Sequence, residues 1–190
     1  MRDVALMGRA GAGKDTVAEM LRERYGHVRV AFADPLREMA LALDPIVDAP
    51  GDADAPDALR FTRLSDVVMA YGWDDAKREF PEVRRVLQRL GLEAVREVIG
   101  ADTWVRLAHR SIVDAHNRKR WVALTDVRFP NEVALARHMG MLVLWIDRPG
   151  VTVGGHASET AVGPDDADAI VYNGAGKAEL LARVETALAR

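Results

Sequence analysis

The chain has 190 residues, which suffices for one domain with a buried core, and its 49% hydrophobic and 29% charged residues are typical of a globular protein. A formal net charge of −3 argues against a general nucleic-acid binder, and the lack of cysteine excludes disulfides, thiolate metal sites and thiol catalysis. No signal peptide and no apolar run of about 18 residues is seen, so we expect a cytoplasmic protein.

The N-terminal segment predicts a strand, a glycine-rich turn and a helix. Val4–Met7 is an unbroken apolar run, as expected of a strand that is buried on both faces of a parallel sheet. After the turn, apolar residues recur at helical spacing and Gly26 is a natural helix stop; they are Val17, Met20, Leu21 and Tyr25. The turn contains Gly8-x4-Gly13-Lys14, which between a strand and a helix is typical of a phosphate-binding loop.

The chemistry of such a loop explains these residue types. Glycines let backbone N–H groups converge on phosphate oxygens, the helix N-terminus adds partial positive charge, and Lys14 adds a full charge. Asp15 stands where Ser or Thr is usual, and Thr16 follows it. A dinucleotide-binding pattern starting at Gly11 would need glycine at position 16, and a plain turn with a solvent lysine does not explain the strand and helix around it. We therefore follow the interpretation of nucleotide phosphate binding.

The next part of the chain predicts a second strand and then a largely helical stretch. Val28–Ala33 indicates a buried strand, and Asp34-Pro35 indicates the cap and first position of a helix through Leu43. Residues 44–57 form an acidic loop; Asp52 and Asp54 have calcium-like spacing, but Pro56 at the next ligand position argues against a metal. Further helices are predicted at Arg63–Tyr71, Glu82–Ile99 and Asp102–Ala115.

The helix predicted at Glu82–Ile99 has two chemically different faces. Its apolar stripe comprises Val83, Val86, Leu87, Leu90 and Ala94. Another face carries Arg85, Gln88 or Arg89, and Arg96. Such a run is either a solvated helix face or part of an anion site, and the spacing alone leaves both interpretations open.

The C-terminal part predicts three more strands. Trp121–Thr125 is an apolar strand that ends at Asp126, whose carboxylate either holds magnesium or its waters or caps the following helix. Met141–Ile146 is the next strand, and a polar, glycine-containing segment follows it, with residues 148–166 as a candidate lid. Ala169–Tyr172 is a short last strand, and Gly176–Ala189 is an amphipathic closing helix.

Five strands that alternate with helices predict a three-layer α/β domain with a mainly parallel five-stranded sheet and a helical insertion. The whole chain, 1–190, is then one domain with its core at 1–33 and 121–190. The insertion at 34–120 would cover the carboxyl edge of the sheet, where ligands bind in open α/β folds.

A phosphate-binding loop indicates a nucleotide but not a reaction. The candidates are a small-molecule kinase, an ATPase motor or switch, and a non-catalytic nucleotide-binding protein. A kinase needs a second anion site lined by arginines and a mobile cover that keeps water from the donor. The chain offers arginines after the second strand, in the helical stretch and after Asp126, and the candidate lid would supply the cover. These features favour a kinase.

Longer motifs follow one another along the chain. They are Gly-x4-Gly-Lys14-Asp15-Thr16, Phe32-Ala33-Asp34-Pro35-Leu36-Arg37, Leu87-Gln88-x-x-Gly91-x-Glu93-x-x-Arg96-x-x-x-Gly100-x-x-x-Trp104, Asp126-Val127-Arg128-Phe129-x-Asn131-Glu132 and His156-x-Ser158-Glu159. Together they resemble the bacteriophage-type deoxynucleoside monophosphate kinase family, within the P-loop nucleoside monophosphate kinases. The resemblance spans essentially the whole chain, and in that family Asp after the lysine is a normal variant.

The resemblance implies a P-loop kinase fold and transfer of the ATP γ-phosphate to a deoxynucleoside monophosphate, with Mg²⁺. Because phosphoryl transfer needs positioning and charge neutralisation, the donor phosphates are assigned to Gly11, Ala12, Gly13, Lys14, Asp15 and Thr16. Magnesium is assigned to Asp15 and Asp126, and catalytic roles to Lys14, Asp126 and Arg128. Acceptor contacts are assigned to Asp34, Leu36, Arg37, Arg85, Gln88, Arg96 and Arg128, with Arg84 and Arg89 competing for the role of Arg85. Lid roles are assigned to Arg148 and His156.

Two rival functions stay open at this point. One is a kinase of another phosphorylated acceptor, such as phosphomevalonate or dephospho-coenzyme A, and the other is a nucleotide-sensing protein without turnover. The expected partners are small-molecule nucleotides, with neither nucleic acid nor a membrane, in the host cytoplasm if the chain is phage-encoded. The sequence leaves open whether the chain forms a homodimer and which bases it accepts.

Overall fold

The fold is described from a computed structural model of the chain, which describes residues 1–48, 61–151 and 161–189. The Asp52 and Asp54 pair and His156 lie outside these ranges. The strands are β1 (Val4–Met7), β2 (Val28–Ala31), β3 (Ile46–Asp48), β4 (Thr62–Arg63), β5 (Val122–Thr125), β6 (Leu142–Asp147) and β7 (Ala169–Tyr172). The α-helices are α1 (Lys14–Tyr25), α2 (Ala33–Leu43), α3 (Leu64–Glu79), α4 (Pro81–Gln88), α5 (Thr103–Asn117), α6 (Pro130–His138) and α7 (Lys177–Leu188). None of the helices in the described ranges combines the length and the apolarity that crossing a membrane requires.

Two compact units make up the chain: Met1–Phe32 together with Trp104–Arg190, and Ala33–Thr103. The first unit contains a five-stranded sheet in the order β2-β5-β1-β6-β7, and every neighbouring pair is parallel. This confirms the predicted α/β class and mainly parallel sheet. The strand β1 lies in the centre, with Val4 opposite both Ala123 and Leu142. Because the chain leaves β1 on one side and later returns on the other, the carboxyl end of β1 lies where ligands bind in such sheets.

Apolar side chains of α1 and α7 cover one face of this sheet. Val17 and Leu21 of α1 and Val184 of α7 are fully buried in one cluster with Leu6 and Leu144 of the sheet. The helix α6 joins β5 to β6, and α1 joins β1 to β2, so the two connections cross the sheet in opposite directions. Right-handed crossovers then put α1 and α6 on opposite faces, which gives the three layers.

The second unit is helical, with one short pair of antiparallel strands, β3 and β4. Its buried cluster contains Ala40, Val47, Leu64, Val67, Ala76 and Val83. The helix α3 continues to Glu79, beyond the predicted end at Tyr71, because Gly72 takes a φ of 69° and a ψ of 170° and makes a kink instead of a stop. Only glycine adopts such angles without strain.

The predicted helix at Glu82–Ile99 begins as α4 but continues as a π-helical segment over Arg89–Ile99. A π-helix bonds residue i to i+5, so each turn holds more residues than in an α-helix and the buried face shifts along the sequence. Val95 is therefore buried, whereas Ala94, assigned to the apolar stripe from α-helical spacing, is exposed. Gly91 lets α2 approach this segment, since a Cβ there would lie 3.1 Å from Leu36 Cδ2.

The second unit ends at Thr103, whereas the sequence placed the end of the insertion at residue 120. The reason is that α5 is bonded to the sheet unit at its C-terminal end. Its His116 Nε2 lies 2.6 Å from Asp3 Oδ2, and Arg120, just beyond the helix, donates to the carbonyl of Gly26 over 2.7 Å. Ile112 of α5 is fully buried. The helix α5 thus packs as part of the sheet unit.

The strand β2 ends at Ala31, two residues before the predicted end, and α2 begins at Ala33. The backbone N–H of Phe32 donates to Asp126 Oδ1 over 2.9 Å, so it leaves the strand ladder. As a consequence Asp34 lies in the first turn of α2 and is not its N-cap.

Candidate active site

The loop between β1 and α1 has backbone angles that require glycine at two of its positions. Gly8 has a φ of 137°, and a Cβ there would lie 2.5 Å from the carbonyl oxygen of Ile146. Gly13, the residue before α1, has a φ of 103°. The carbonyl of Gly13 accepts the first helical bond, from the N–H of Val17 over 3.0 Å. The loop therefore delivers its last residues straight into a helix N-terminus, where backbone N–H groups favour an anion.

Lys14 is folded against this loop. Its Nζ donates to the carbonyl oxygens of Gly8 and Arg9 over 2.8 and 2.9 Å, and the residue is 8% exposed. These two bonds hold the ammonium group at the start of the loop while its backbone begins α1 at the loop's end. A full positive charge thus lies inside the curve of the loop, as the assigned phosphate role requires.

Asp15 lies in the first turn of α1 with its side chain 82% exposed. Its Oδ1 is 3.8 Å from Nε of Arg29 on β2, so a cation already lies near this carboxylate. No local pattern marks this neighbour, because the charge comes from the next strand of the chain and not from α1.

Asp126 follows β5 and has a φ of 57°, a left-handed conformation that is uncommon outside glycine. Its Oδ1 accepts the Phe32 N–H, so the carboxylate joins the ends of β5 and β2. The alternative role as a helix cap is wrong, since the N-cap of α6 is Phe129. The magnesium role stays a prediction.

Arg128 lies beside the phosphate-binding loop. It lines one small crevice together with Gly8, Arg9 and Ala10. Its backbone is held by Glu132, which is 2% exposed and whose Oε2 accepts the N–H groups of Arg128 and Phe129 over 2.7 and 3.1 Å. Glu132 received no role from the sequence, although Glu three residues after the N-cap, with Pro130 between them, is a capping pattern.

Arg148, the first residue of the candidate lid, also contacts the loop. Its Nη1 donates to the carbonyl of Gly11 over 3.1 Å, and Nη1 of Arg9 donates to the carbonyl of Val151 over 3.1 Å. The next carbonyl of the loop is also bonded, since Asn173 Nδ2 donates to the carbonyl of Ala12 over 2.8 Å. The sequence missed Asn173, since nothing local marks a residue that acts on a loop 161 positions away.

The remaining acceptor candidates lie in the second unit. Arg37 has its Nη1 3.8 Å from Asp34 Oδ1, and its guanidinium stacks 5.6 Å from the centre of the Trp73 ring. Leu36 is half-buried against Gly91. Arg96 donates to the carbonyl of Ala101 over 3.1 Å, and thus serves the turn after the π-helical segment. Each contact is within the unit, and the acceptor roles stay predictions.

Two of the three competing arginines share a face. Arg85 and Arg89 line a cleft of about 410 Å³ together with Glu82, Val86, Leu90, Glu93 and Ala94, whereas Arg84 is not among its lining residues. Both arginines carry a carboxylate partner: Arg85 donates to Glu82 twice over 2.7 Å, and Arg89 Nε lies 3.1 Å from Glu93. The hydrogen bonds between Arg85 and Glu82 lower the pKa of Glu82 and raise the pKa of Arg85. Gln88 is exposed and does not line the cleft.

The carboxylates near the loop fit Mg²⁺ in the way that phosphate-transferring proteins usually hold it. Within the described ranges no group of three or more His, Asp or Glu side chains is arranged to hold a metal. Mg²⁺ usually keeps several waters and takes only one or two carboxylates together with substrate phosphates. The exposed carboxylate of Asp15 at the helix N-terminus and that of Asp126 at the strand end match this small donor set.

A parallel sheet whose central strand runs into a Gly-x4-Gly-Lys loop and a helix N-terminus defines the class of P-loop nucleotide-binding proteins. A sugar kinase from Janibacter sp. HTCC2649 has the same fold, with a TM-score of 0.50 and 14% identity over 100% of this chain and 95% of that one. The sequence pattern of the deoxynucleotide monophosphate kinase family matches residues 52–184, which is more than half of the chain. The chain belongs to this family and is a kinase.

Two viral proteins are similar to it along most of their length. One, from Acanthamoeba polyphaga mimivirus and provisionally named a deoxynucleotide monophosphate kinase, is 28% identical over 166 residues, which cover 78% of this chain and 75% of the relative. The other, the deoxynucleotide monophosphate kinase of Enterobacteria phage T4, is 23% identical over 99% of both chains. These relatives do not favour the two alternative functions, a kinase of another phosphorylated acceptor and a nucleotide-binding protein without turnover.

Proposed function

We propose that this kinase transfers the γ-phosphate of ATP to a deoxynucleoside 5′-monophosphate in the presence of Mg²⁺ and releases ADP and a deoxynucleoside diphosphate. The observation that carries the proposal is the buried Lys14, held in the curve of the loop at the N-terminus of α1. This loop lies outside the residues that match the family pattern, so it supports nucleotide binding independently of the match.

The chain's own groups would act on the donor by position and charge. Backbone N–H groups from Gly11 to Thr16 would bind the phosphates, and the Lys14 ammonium would neutralise charge on the β and γ groups. Bound Mg²⁺ would supply positive charge that reduces the repulsion between the donor phosphates and the incoming acceptor. Asp15 and Asp126 would hold it, directly or through water.

Arginines would bind the acceptor phosphate and stabilise the transferring group. We assign both roles to Arg128, and two observations support this: it lines a crevice with the first residues of the loop, and its backbone is held by the buried Glu132. A guanidinium can contact a phosphate with two parallel hydrogen bonds, which adds geometric precision to charge. Arg37 and Arg85 are the further acceptor ligands that we propose in the second unit. The viral relatives support action in a host cytoplasm.

An acceptor panel tests the proposal. The protein is incubated with ATP, Mg²⁺ and, in turn, each deoxynucleoside monophosphate, the matching ribonucleotides, phosphomevalonate and dephospho-coenzyme A, and release of ADP is followed. We expect turnover with at least one deoxynucleoside monophosphate and lower rates with its ribonucleotide. An unpartnered 2′-hydroxyl in a closed site would cost about 1–3 kcal/mol.

The same panel distinguishes the proposed reaction from the alternative acceptors and from nucleotide binding without turnover. Equal rates with both sugars would leave a general nucleoside monophosphate kinase. Turnover with only phosphomevalonate or dephospho-coenzyme A would overturn the acceptor, and binding of ATP without any turnover would overturn the reaction.

A further inference from the structure

Asn173 connects the last strand of the sheet to the phosphate-binding loop. It directly follows β7, is half-buried, and its Nδ2 donates to the carbonyl of Ala12 over 2.8 Å. The role is separate from that of any residue that the sequence motifs assigned. Asn173 contacts the loop that would hold the donor phosphates, although it lies near the opposite end of the chain.

The geometry of the peptide bond turns this contact into an effect on the next N–H group. In a trans peptide the carbonyl of Ala12 and the N–H of Gly13 point in opposite directions. Because Asn173 holds the carbonyl on its own side, the Gly13 N–H is directed away from Asn173. The following peptide is fixed as well, since the Gly13 carbonyl accepts the Val17 N–H over 3.0 Å. Two successive N–H groups at the start of α1 therefore have set orientations.

Gly13 and Asn173 fit each other closely. A Cβ at Gly13 would lie 2.5 Å from Asn173 Nδ2, so any side chain there would displace the amide. The φ of 103° at Gly13 disfavours other residues on its own, but the contact shows in addition that the missing Cβ makes room for the asparagine. Glycine at position 13 thus serves two purposes.

Asn173 is itself held by the sheet. Its backbone N–H donates to the carbonyl of Asp147 at the end of β6 over 2.6 Å, and Tyr172 before it is paired with Asp147 in the parallel ladder. The next residue after Asp147 is Arg148, which donates to the carbonyl of Gly11. Two neighbouring carbonyls of the loop are therefore held by side chains from the ends of two neighbouring strands. Groups on a rigid sheet position a loop better than groups within it.

We propose that Asn173 is a positioning residue of the donor site, which orients the Ala12–Gly13 peptide so that the Gly13 N–H is preorganised for a phosphate oxygen of the nucleotide. The proposal rests on the proposed function only in that this loop binds the phosphates of the donor. Asn173 touches the loop and not the reacting atoms, so its loss weakens donor binding and turnover without abolishing them.

The test compares Asn173→Ala, Asn173→Asp and a matched control, Arg183→Ala. Arg183 donates to the carbonyl of Tyr172 over 3.2 Å and stacks on its ring, so it supports the same strand end without a contact to the loop. The alanine variant removes the donor, and the aspartate variant keeps the shape but turns an acceptor toward the Ala12 carbonyl. Each variant is measured for the Kd of ATP by titration, the KM of ATP, the KM of the acceptor, kcat, and melting without nucleotide.

We expect Asn173→Ala to raise the Kd and KM of ATP about fivefold to tenfold, as for the loss of one hydrogen bond, and Asn173→Asp to raise them more. The KM of the acceptor stays within twofold, and Arg183→Ala leaves the Kd of ATP unchanged even if it lowers the melting temperature. An unchanged Kd of ATP in both Asn173 variants would overturn the proposal. So would equal changes in the KM of ATP and of the acceptor, which indicate general loosening. If the wild-type protein binds ATP without turnover, the proposed function fails, while the Kd values still decide the role of Asn173.

Discussion

At the residue scale, Lys14 has a structural as well as an electrostatic contact with its loop. Lysine at the end of a glycine-rich turn is expected to reach into solvent or to a ligand, yet its Nζ is held by two carbonyls and the residue is buried. A buried ammonium group needs such partners. Removing the charge therefore affects the loop itself and any phosphate that the loop binds.

The first prediction concerns Lys14→Met, which keeps the length of the side chain and removes its charge. We expect kcat to fall by about 10²–10³, as for other preorganised donors to a transition state. Because the carbonyls of Gly8 and Arg9 lose a donor, the free energy of unfolding without nucleotide should fall by about 1 kcal/mol. Kinetics and thermal melting measure the two effects. Lys77→Met, which removes a half-buried lysine that lies outside the loop and is paired with Asp74, is the control. Near-normal turnover in Lys14→Met would contradict the phosphate-loop assignment.

The second prediction separates two roles of Asp15. A carboxylate beside polyphosphate is repelled unless a cation lies between them, and both Arg29 and Mg²⁺ are candidates for that cation. Because we assign Asp15 to the metal, we expect Asp15→Ala to raise the Mg²⁺ concentration needed for half-maximal rate, Asp15→Ser to retain more activity, and Arg29→Ala to leave that concentration unchanged. If Asp15 serves only to pair with Arg29, all three variants keep the magnesium dependence of the wild type. A titration of rate against Mg²⁺ distinguishes the two.

The third prediction is that Arg128→Lys is not a mild change. Lysine keeps the charge but loses the planar pair of donors that fits a phosphate. Since the same group would position the acceptor phosphate and stabilise the transition state, kcat should fall and the acceptor KM should rise together. Steady-state kinetics with a varied acceptor measure both. A variant with wild-type values for both constants would remove Arg128 from the site.

The fourth prediction identifies which arginine of the cleft binds the acceptor. Glu82→Gln frees Arg85, and Glu93→Gln frees Arg89, without touching either arginine. We expect Glu82→Gln to lower the acceptor KM about twofold to fivefold, because a solvent-exposed ion pair holds its arginine only weakly. A lower KM in Glu93→Gln alone would assign the role to Arg89, and no change in either would leave both as a solvated helix face.

Lowering the pH cannot replace the Glu82→Gln substitution as a way to release Arg85 from its carboxylate partner. The contact with Arg85 depresses the pKa of Glu82 in the folded protein, so the pair contributes fully above the ordinary carboxylate pKa. Its contribution is lost only as the pH falls through the depressed value. At neutral pH the pair is therefore complete, and only substitution releases Arg85.

At the element scale, local patterns predicted the strands and the loop but not the contacts that join them. The run Val4–Met7, the glycines and the closing Gly26 lie close together in the chain, and the structure has β1 and α1 there. The π-helical segment could not be predicted, because the helix pattern assumes a fixed number of residues in each turn. The contact of Asp126 with Phe32, which ends β2 early, joins residues 94 positions apart.

The fifth prediction concerns Asp3, which bonds β5 and contacts α5 within the sheet unit. Asp3 is 7% exposed, and its two carboxylate oxygens accept from the N–H of Val122 and contact His116 Nε2 over 2.7 and 2.6 Å. Asp3→Ala leaves a buried backbone N–H without its acceptor, so the free energy of unfolding should fall by about 1–3 kcal/mol. Asp3→Asn keeps an acceptor for Val122 and should lose less. Chemical denaturation gives both values, and equal losses in the two variants would contradict the importance of the Val122 bond.

At the scale of the whole molecule, the fold class and the family could be inferred from the sequence because their signals are ordered motifs along the chain. Asn173, Arg29 and the boundary at Thr103 could not, since each depends on which distant segments become neighbours in the sheet. The residues of the site also differ in whether they belong to a local motif or come from a distant segment. The loop from Gly11 to Thr16 is local and was predicted, whereas the groups that orient it come from the ends of β6 and β7.

Phosphoryl transfer from ATP to a deoxynucleoside monophosphate is measured most directly by the stoichiometry of its products. Purified protein is given ATP, Mg²⁺ and one deoxynucleoside monophosphate, and ADP and the deoxynucleoside diphosphate are separated and quantified over time, with Lys14→Met in parallel. The proposal predicts that the wild type forms the two products in equal amounts and that Lys14→Met forms about 10²–10³ times less of both. ADP without a matching diphosphate, or equal product formation by the two proteins, would contradict it.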